Sequence, residues 1–222
     1  MKNIIVVMGV LLITQLTHAQ GIIYVSSMNQ TPTGSESVGS DSWYATLFRT
    51  GNNANGYELN SIQLAMANAT GSPSGFTVAV YSSVSGAAVF PGNSLGMLDG
   101  SLSPVNGGNY TYTDDSGIIL LPHTDYYIVL TATTAAADGD AYDWSVTSTY
   151  SPVSIGGWGG DNILANSSNG SSWRFIAGAY PLFAINAIAI PEPSSSWLLL
   201  LGGGFFLYVR GRKPRAATTA HN

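Results

Sequence analysis

The chain has 222 residues, no cysteine and a formal charge of −5. Between residues 20 and 190, eleven acids stand against only two bases, Arg49 and Arg174; the other five bases lie in the two ends. This excludes disulfide bracing, iron–sulfur and cysteine-protease chemistry, and it argues against nucleic acid, whose binding needs a basic footprint.

The chain opens like an export signal. Lys2 supplies a basic start, residues 4–13 form an apolar run, and Thr17-His18-Ala19 is a small-x-small cleavage site. A signal peptide over residues 1–19, cut by signal peptidase between Ala19 and Gln20, predicts an exported mature chain. Residues 20–190 are then long enough for one domain with a core of its own.

That span is rich in Gly, Ser, Thr, Asn and aromatics, which favours strands joined by tight turns over helices. Residues 22–26 read as a first strand, and 31–41 as a polar loop. A strand over 43–50 ends at Gly51-Asn52-Asn53-Ala54-Asn55-Gly56, a strong turn signal. Ile62, Leu64 and Met66 then alternate with Gln63 and Ala65, so one face is apolar. Residues 76–81 show the clearest period of two. Pro91-Gly92-Asn93 reads as a loop before a strand at 95–98. Strands at 110–112 and 118–121 flank the turn Asp114-Asp115-Ser116-Gly117, a pattern that predicts a hairpin. Tyr126, Ile128 and Leu130 share a face, and residues 142–147, 173–177 and 182–190 complete the set. About ten short strands with turn signals at this spacing predict an all-β sandwich of jelly-roll type.

Chemistry is sparse in this domain. His123 is its only histidine and sits in a turn after Pro122. With one histidine, placed in a turn, neither a Ser-His-Asp triad nor a zinc site is expected, and no catalytic residue is assigned. The acids fall at turns rather than in the facing pair that glycoside hydrolysis uses. Asp138, Asp140 and Asp143 offer hard oxygen ligands at one loop tip, a weak calcium candidate whose spacing departs from the EF-hand. Trp158, flanked by Gly156-Gly157 and Gly159-Gly160, is the candidate for an exposed sugar-stacking ring, with Asp161 as its polar partner. Trp43, Trp144 and Trp173 lie in strand-like contexts and are expected in the core.

The C-terminal stretch has three zones. Pro191-Glu192-Pro193-Ser194-Ser195-Ser196 is a box in which proline blocks helix and strand pairing; residues 197–209 carry no charge; Arg210, Arg212, Lys213 and Arg215 form a basic stop. The uncharged run is short for a spanning helix, and the basic cluster marks its cytoplasmic flank. Box, apolar run and basic tail in this order resemble the PEP-CTERM sorting signal of Gram-negative bacteria. The resemblance implies one transmembrane helix, transient anchoring in the inner membrane, cutting near Pro191-Glu192-Pro193 by an exosortase, and delivery to the cell surface or beyond. It also implies association with exopolysaccharide or biofilm.

The domain itself resembles the choice-of-anchor R module. The resembling stretches are Trp43-Tyr44-Ala45-Thr46-Leu47-Phe48-Arg49-Thr50-Gly51, Gly71-Ser72-Pro73-Ser74-Gly75-Phe76-Thr77-Val78-Ala79-Val80-Tyr81-Ser82, Leu121-Pro122-His123-Thr124-Asp125-Tyr126-Tyr127-Ile128-Val129-Leu130 and Gly170-Ser171-Ser172-Trp173. That resemblance implies an exported β-domain with no catalytic residues to carry over. The organisation expected is therefore a signal peptide at 1–19, a β-sandwich at 20–190 and a sorting signal at 191–215. Two alternatives stand beside a non-enzymatic surface or matrix protein: a carbohydrate-binding module, and a periplasmic domain held permanently by its tail.

Overall fold

The computed structural model describes residues 21–84 and 90–191. The signal-peptide segment with its Ala19–Gln20 junction, Glu192 and Pro193 of the box, the apolar run and the basic stop lie outside the described residues.

The described residues form fifteen strands and one 3-10 turn. In order these are β1 (Ile22–Ser26), β2 (Gly34–Val38), β3 (Trp43–Arg49), β4 (Tyr57–Met66), β5 (Thr77–Val84), β6 (Phe90–Leu98) and β7 (Gly108–Thr113). There follow β8 (Ile119–Leu120), β9 (Asp125–Thr131), the 3-10 turn Ala136–Asp138, β10 (Tyr142–Thr147) and β11 (Val153–Ser154). The chain closes with β12 (Gly159–Ser167), β13 (Trp173–Ile176), β14 (Tyr180–Pro181) and β15 (Phe183–Ala189).

Two antiparallel sheets make a sandwich. One runs β11-β1-β15-β4-β10-β14, with β2 also paired to β10 and β7 and β8 also paired to β4; the other runs β13-β12-β3-β9-β5-β6. A jelly roll divides eight strands between its sheets. Here the described residues give nine and six.

β4 shows how the sequence pattern sets the packing. Ile62, Leu64 and Met66 are all buried, as their alternation requires, yet Tyr57 and Leu59 are buried too, on the opposite phase. A bulge reconciles the two phases. Asn186 faces Ser61 and Ala187 faces Leu59, so Asn60 is the extra residue. A one-residue insertion flips the alternation, and both halves of β4 keep their apolar side chains toward the core.

Three expectations change in the folded chain. Residues 114–117 do not close a hairpin. β7 and β8 both pair with β4, Thr113 opposite Ser61 and Ile119 opposite Glu58, and form one interrupted strand along its edge. The excursion between them meets the β4 bulge, where Asp114 N–H donates to the Asn60 carbonyl and Leu59 N–H to the Ile118 carbonyl. Asp114 also accepts from its own loop, at Ser116 N–H, Ser116 Oγ and Ile118 N–H. A carboxylate bonding its own backbone produces the same turn signal in sequence as a hairpin does. The polar stretch 31–41 contains β2, whose five residues pair along β10. β2 is read as loop because only Val38 of its five residues is apolar and fully buried. Residues 91–93 lie inside β6 rather than before it.

The six-stranded sheet is apolar on both faces. Tyr126, Ile128 and Leu130 of β9 face the main core, while Tyr127 and Val129 pack outside with Ala45, Leu47, Ala165 and Trp173. Trp144 is in the main core, whereas Trp43 and Trp173 belong to this outer cluster. Phe90, the first residue of β6, packs against it. Phe90 of β6 and Phe175 of β13 belong to opposite edges of the sheet, about 24 Å apart for flat strands. Their rings nevertheless stack at 4.5 Å. The hairpin therefore curls back across the sheet, and register shifts near Tyr81 supply the bend.

Candidate functional site

The sorting box leaves the domain from the middle of the nine-stranded sheet. β15 lies between β1 and β4 and is paired to both along its length. Phe183, Ala184, Ile185 and Ala187 are buried. Alternating apolar residues and two flanking strands leave this strand little freedom to fray. Pairing with β4 continues to Ala189, opposite Tyr57.

Past the strand, the β3–β4 turn grips one more residue. Ile190 N–H donates to the Gly56 carbonyl at 3.1 Å, and Asn53 Nδ2 donates to the Ile190 carbonyl at 3.0 Å. Asn53 is itself fixed: its N–H donates to the Tyr57 hydroxyl, its Oδ1 accepts from Asn55 N–H, and its carbonyl accepts from Gly56 N–H. Gly56 closes the turn at φ 79°, and a Cβ there would meet the Leu120 carbonyl at 2.4 Å. The turn foreseen at 51–56 thus serves as a clamp. Both polar groups of Ile190 are held, and the next residue, Pro191, is exposed.

The sugar-binding candidate is corrected by its burial. Trp158 is 3 % exposed. Its ring stacks on Tyr24 at 4.9 Å and Phe48 at 6.1 Å, and meets Tyr57 edge-on at 4.8 Å. The flanking glycines cause this. Gly156 and Gly157 both take positive φ, 62° and 75°, and Trp158 N–H donates to the Ile155 carbonyl. That is a tight reversal, available to glycine, which returns the next side chain to the core. Gly51 supplies the remaining space, since a Cβ on it would lie 2.6 Å from Trp158 and 2.0 Å from the Gly156 carbonyl. Asp161 is exposed and does not share a site with the buried ring; its negative charge helps raise the Tyr150 hydroxyl pKa to about 12, after burial.

The calcium candidates are separated in the same way. Asp138 is exposed in the 3-10 turn, Asp140 accepts from Ser72 N–H at 2.6 Å, and Asp143 is 5 % exposed. Asp143 accepts the Ser37 hydroxyl at 2.8 Å and the Thr70 hydroxyl at 2.9 Å, one on each oxygen. Its carboxylate ties β2 to the loop after β4. Among the described residues no group of three or more His, Cys, Asp or Glu side chains is placed to hold a metal ion.

His123 is an exposed turn residue at φ 50°, held by its backbone. Its N–H donates to the Gly51 carbonyl and its carbonyl accepts from Arg49, whose guanidinium lies 3.8 Å from Asp125.

Sequence reasoning missed Asn53. The signal was present, an Asn-rich turn followed by Gly56, but nothing in the order of residues shows that this turn meets the end of a strand 137 positions away.

Residues 189–213 match the model of the PEP-CTERM protein-sorting motif. No curated protein and no solved structure matches the chain. The motif marks an exported protein that is transiently anchored in the membrane and processed by an exosortase. Its first two residues, Ala189 and Ile190, are the last residue of β15 and the residue clamped by Asn53. The match therefore begins on the last residue of the last strand. Among the described residues no helix is long and apolar enough to cross a membrane, and residues 197–209 lie outside them.

Proposed function

We propose that this protein is a non-enzymatic component of the cell surface or extracellular matrix, presented to an exosortase by a rigid β-sandwich and released into, or attached within, an exopolysaccharide-rich layer. The observation that carries this reading is the clamp on Ile190. The backbone is fixed up to Ile190, the residue before the box. An extended, proline-bounded segment is what a processing enzyme needs in order to bind backbone on both sides of the cut.

The acidic residues support a structural role for the domain. Asp41, Asp114 and Asp143 are engaged by backbone N–H groups or hydroxyls, as turn and strand fasteners. With Trp158 in the core, a carbohydrate-binding module built on that ring loses its support. The choice-of-anchor R resemblance fits a passive domain carried by interchangeable tails.

Intact-mass analysis of the protein from each compartment of its own host tests the reading. A chain beginning near Gln20 and ending within or just before Pro191-Glu192-Pro193, recovered outside the inner membrane, is expected. A membrane-bound species that keeps Arg210, Arg212, Lys213 and Arg215 as the sole mature form would overturn it in favour of a permanently anchored domain.

A further inference from the structure

The end of β15 is fastened from one side only. Pairing with β1 stops where Ile22 faces Ala187, whereas pairing with β4 runs on to Ala189, opposite Tyr57. Beyond Ala189 the β3–β4 turn takes over, with Ile190 N–H donating to the Gly56 carbonyl and the Ile190 carbonyl accepting from Asn53 Nδ2. Both backbone groups of Ile190 are engaged, and a proline such as Pro191 has no N–H to offer. The Gly56 half of this clamp is backbone and survives any change of side chain. The Asn53 half is the one that a substitution can remove.

The turn is itself braced from two loops. Asn52 N–H donates to the Gly156 carbonyl in the loop before β12, and the Gly51 carbonyl accepts from His123 N–H in the loop before β9. Just ahead of the turn, Thr50 is fully buried, and its hydroxyl donates to the Leu121 carbonyl and accepts from Thr124 N–H. His123 is the one non-glycine residue at positive φ among the described residues. A conformation of that kind persists where the surroundings over-determine it. Here the surrounding bonds are those that hold the turn against Ile190.

A processing enzyme that reads an extended strand pairs with its backbone, and the carbonyl it attacks must enter its own cluster of donors. Cutting the Ile190–Pro191 bond would require the Ile190 carbonyl to do so, and Asn53 already holds that oxygen at the domain surface. We propose that Asn53 is a positioning residue for exosortase processing: its hold on Ile190 sets the upstream limit of the enzyme's footprint, so that the cut falls after Pro191 or a later residue and every mature chain keeps Ile190 and Pro191. In that cut the C–N bond breaks, the acyl carbon passes to water or to an acceptor amine or hydroxyl, and the leaving nitrogen takes the proton the acceptor gives up. The inference rests on the sorting reading and sharpens it, since the motif alone allows a cut on either side of Pro191.

The sequence offers a direct readout. No Lys or Arg lies between Arg174 and Arg210, so trypsin releases the end of the mature chain as one peptide beginning at Phe175, whose last residue tandem mass spectrometry identifies. The full-length precursor is expressed in its own host as the parent, as Asn53→Asp and as Asp143→Ala. Asn53→Asp exchanges the donor for an oxygen at nearly the same shape; Asp143→Ala is a destabilised control at the other end of β4, where Ala67 N–H donates to the Asp143 carbonyl. In the parent and in Asp143→Ala every end should lie at Pro191 or later. Asn53→Asp should add ends at Ile190 or upstream, because the clamp opens about two- to tenfold more often without one hydrogen bond. Asn53→Ser, whose shorter side chain also suits a turn, gives the same readout if the Asp variant does not accumulate. Parent chains ending at Ile190 or upstream, or Asn53 variants whose ends match the parent's, would overturn the inference and leave the sorting reading standing. Upstream ends in Asp143→Ala as abundant as in Asn53→Asp would overturn it too, by making general instability the cause. A parent that keeps Arg210 in its sole mature form would overturn the sorting reading and this inference with it.

Discussion

Replacing Trp158 separates a core role from a surface role most sharply. The ring is 3 % exposed and meets three other aromatic rings within 6.1 Å. Truncating a buried Trp to Ala costs about 3–5 kcal/mol through lost transfer energy and the cavity left behind. A domain of this size has about 5–15 kcal/mol in all. Trp158→Ala should therefore remove a large share of the stability of the processed domain. An exposed binding residue would change it by about 0.5 kcal/mol or less. A second substitution adds a test of mechanism. The indole Nε1–H of Trp158 has no hydrogen-bond partner among the described residues, and an unsatisfied buried donor costs about 1–3 kcal/mol. Trp158→Phe removes that donor and keeps one ring in the stack, so its loss should be less than half that of Trp158→Ala. Equilibrium urea unfolding, followed by far-ultraviolet circular dichroism, measures both. A Trp158→Ala midpoint within error of the parent would refute the packing argument.

Other expectations follow from single contacts. Asn53→Ala should cost about 0.5–1.5 kcal/mol and speed hydrogen exchange at the Ile190 amide, while amides in the middle of β15 stay protected; unchanged exchange at Ile190 would contradict the clamp. Gly51→Ala should destabilise by about 1–3 kcal/mol, since its Cβ would be driven against the Gly156 carbonyl and the Trp158 ring. Asp143→Ala should cost about 1–3 kcal/mol by stranding the Ser37 and Thr70 hydroxyls, and millimolar calcium or a chelator should leave the thermal midpoint of the parent unchanged. At high pH the tyrosines dominate. Burial, and then the Glu36 carboxylate, push the Tyr44 hydroxyl up to about 12. Burial first also raises Tyr112 and Tyr127. The unfolded chain releases these protons near pH 10 and the folded one later, so their contribution is complete below pH 10 and is lost as pH rises toward 12 and beyond. Denaturation midpoints should fall over that window, with tyrosinate absorbance appearing as the protein unfolds.

The sequence by itself determined the class of fold and, through the sorting motif, that the chain is exported. Period-two patterning at Ile62, Leu64, Met66 and at Tyr126, Ile128, Leu130 is local, and each of these side chains is buried where the alternation puts it. The sorting motif is likewise a linear signal, legible because a processing enzyme must read it as an extended chain. Whatever depends on distant segments meeting was decided only by the tertiary structure. Residues 114–117 carry the marks of a hairpin turn, but β4 is long enough to pair with both flanking strands, and it does. Gly156 and Gly157 before Trp158 read as bare backbone, yet their positive φ is what turns the ring inward. Asp138, Asp140 and Asp143 are close in sequence, but the bonds to Ser72, Ser37 and Thr70 draw the last two into different contacts. The clamp on Ile190 joins Asn53 to a residue 137 positions away, and no local pattern encodes such a contact because its two halves acquire meaning only once β4 and β15 are paired.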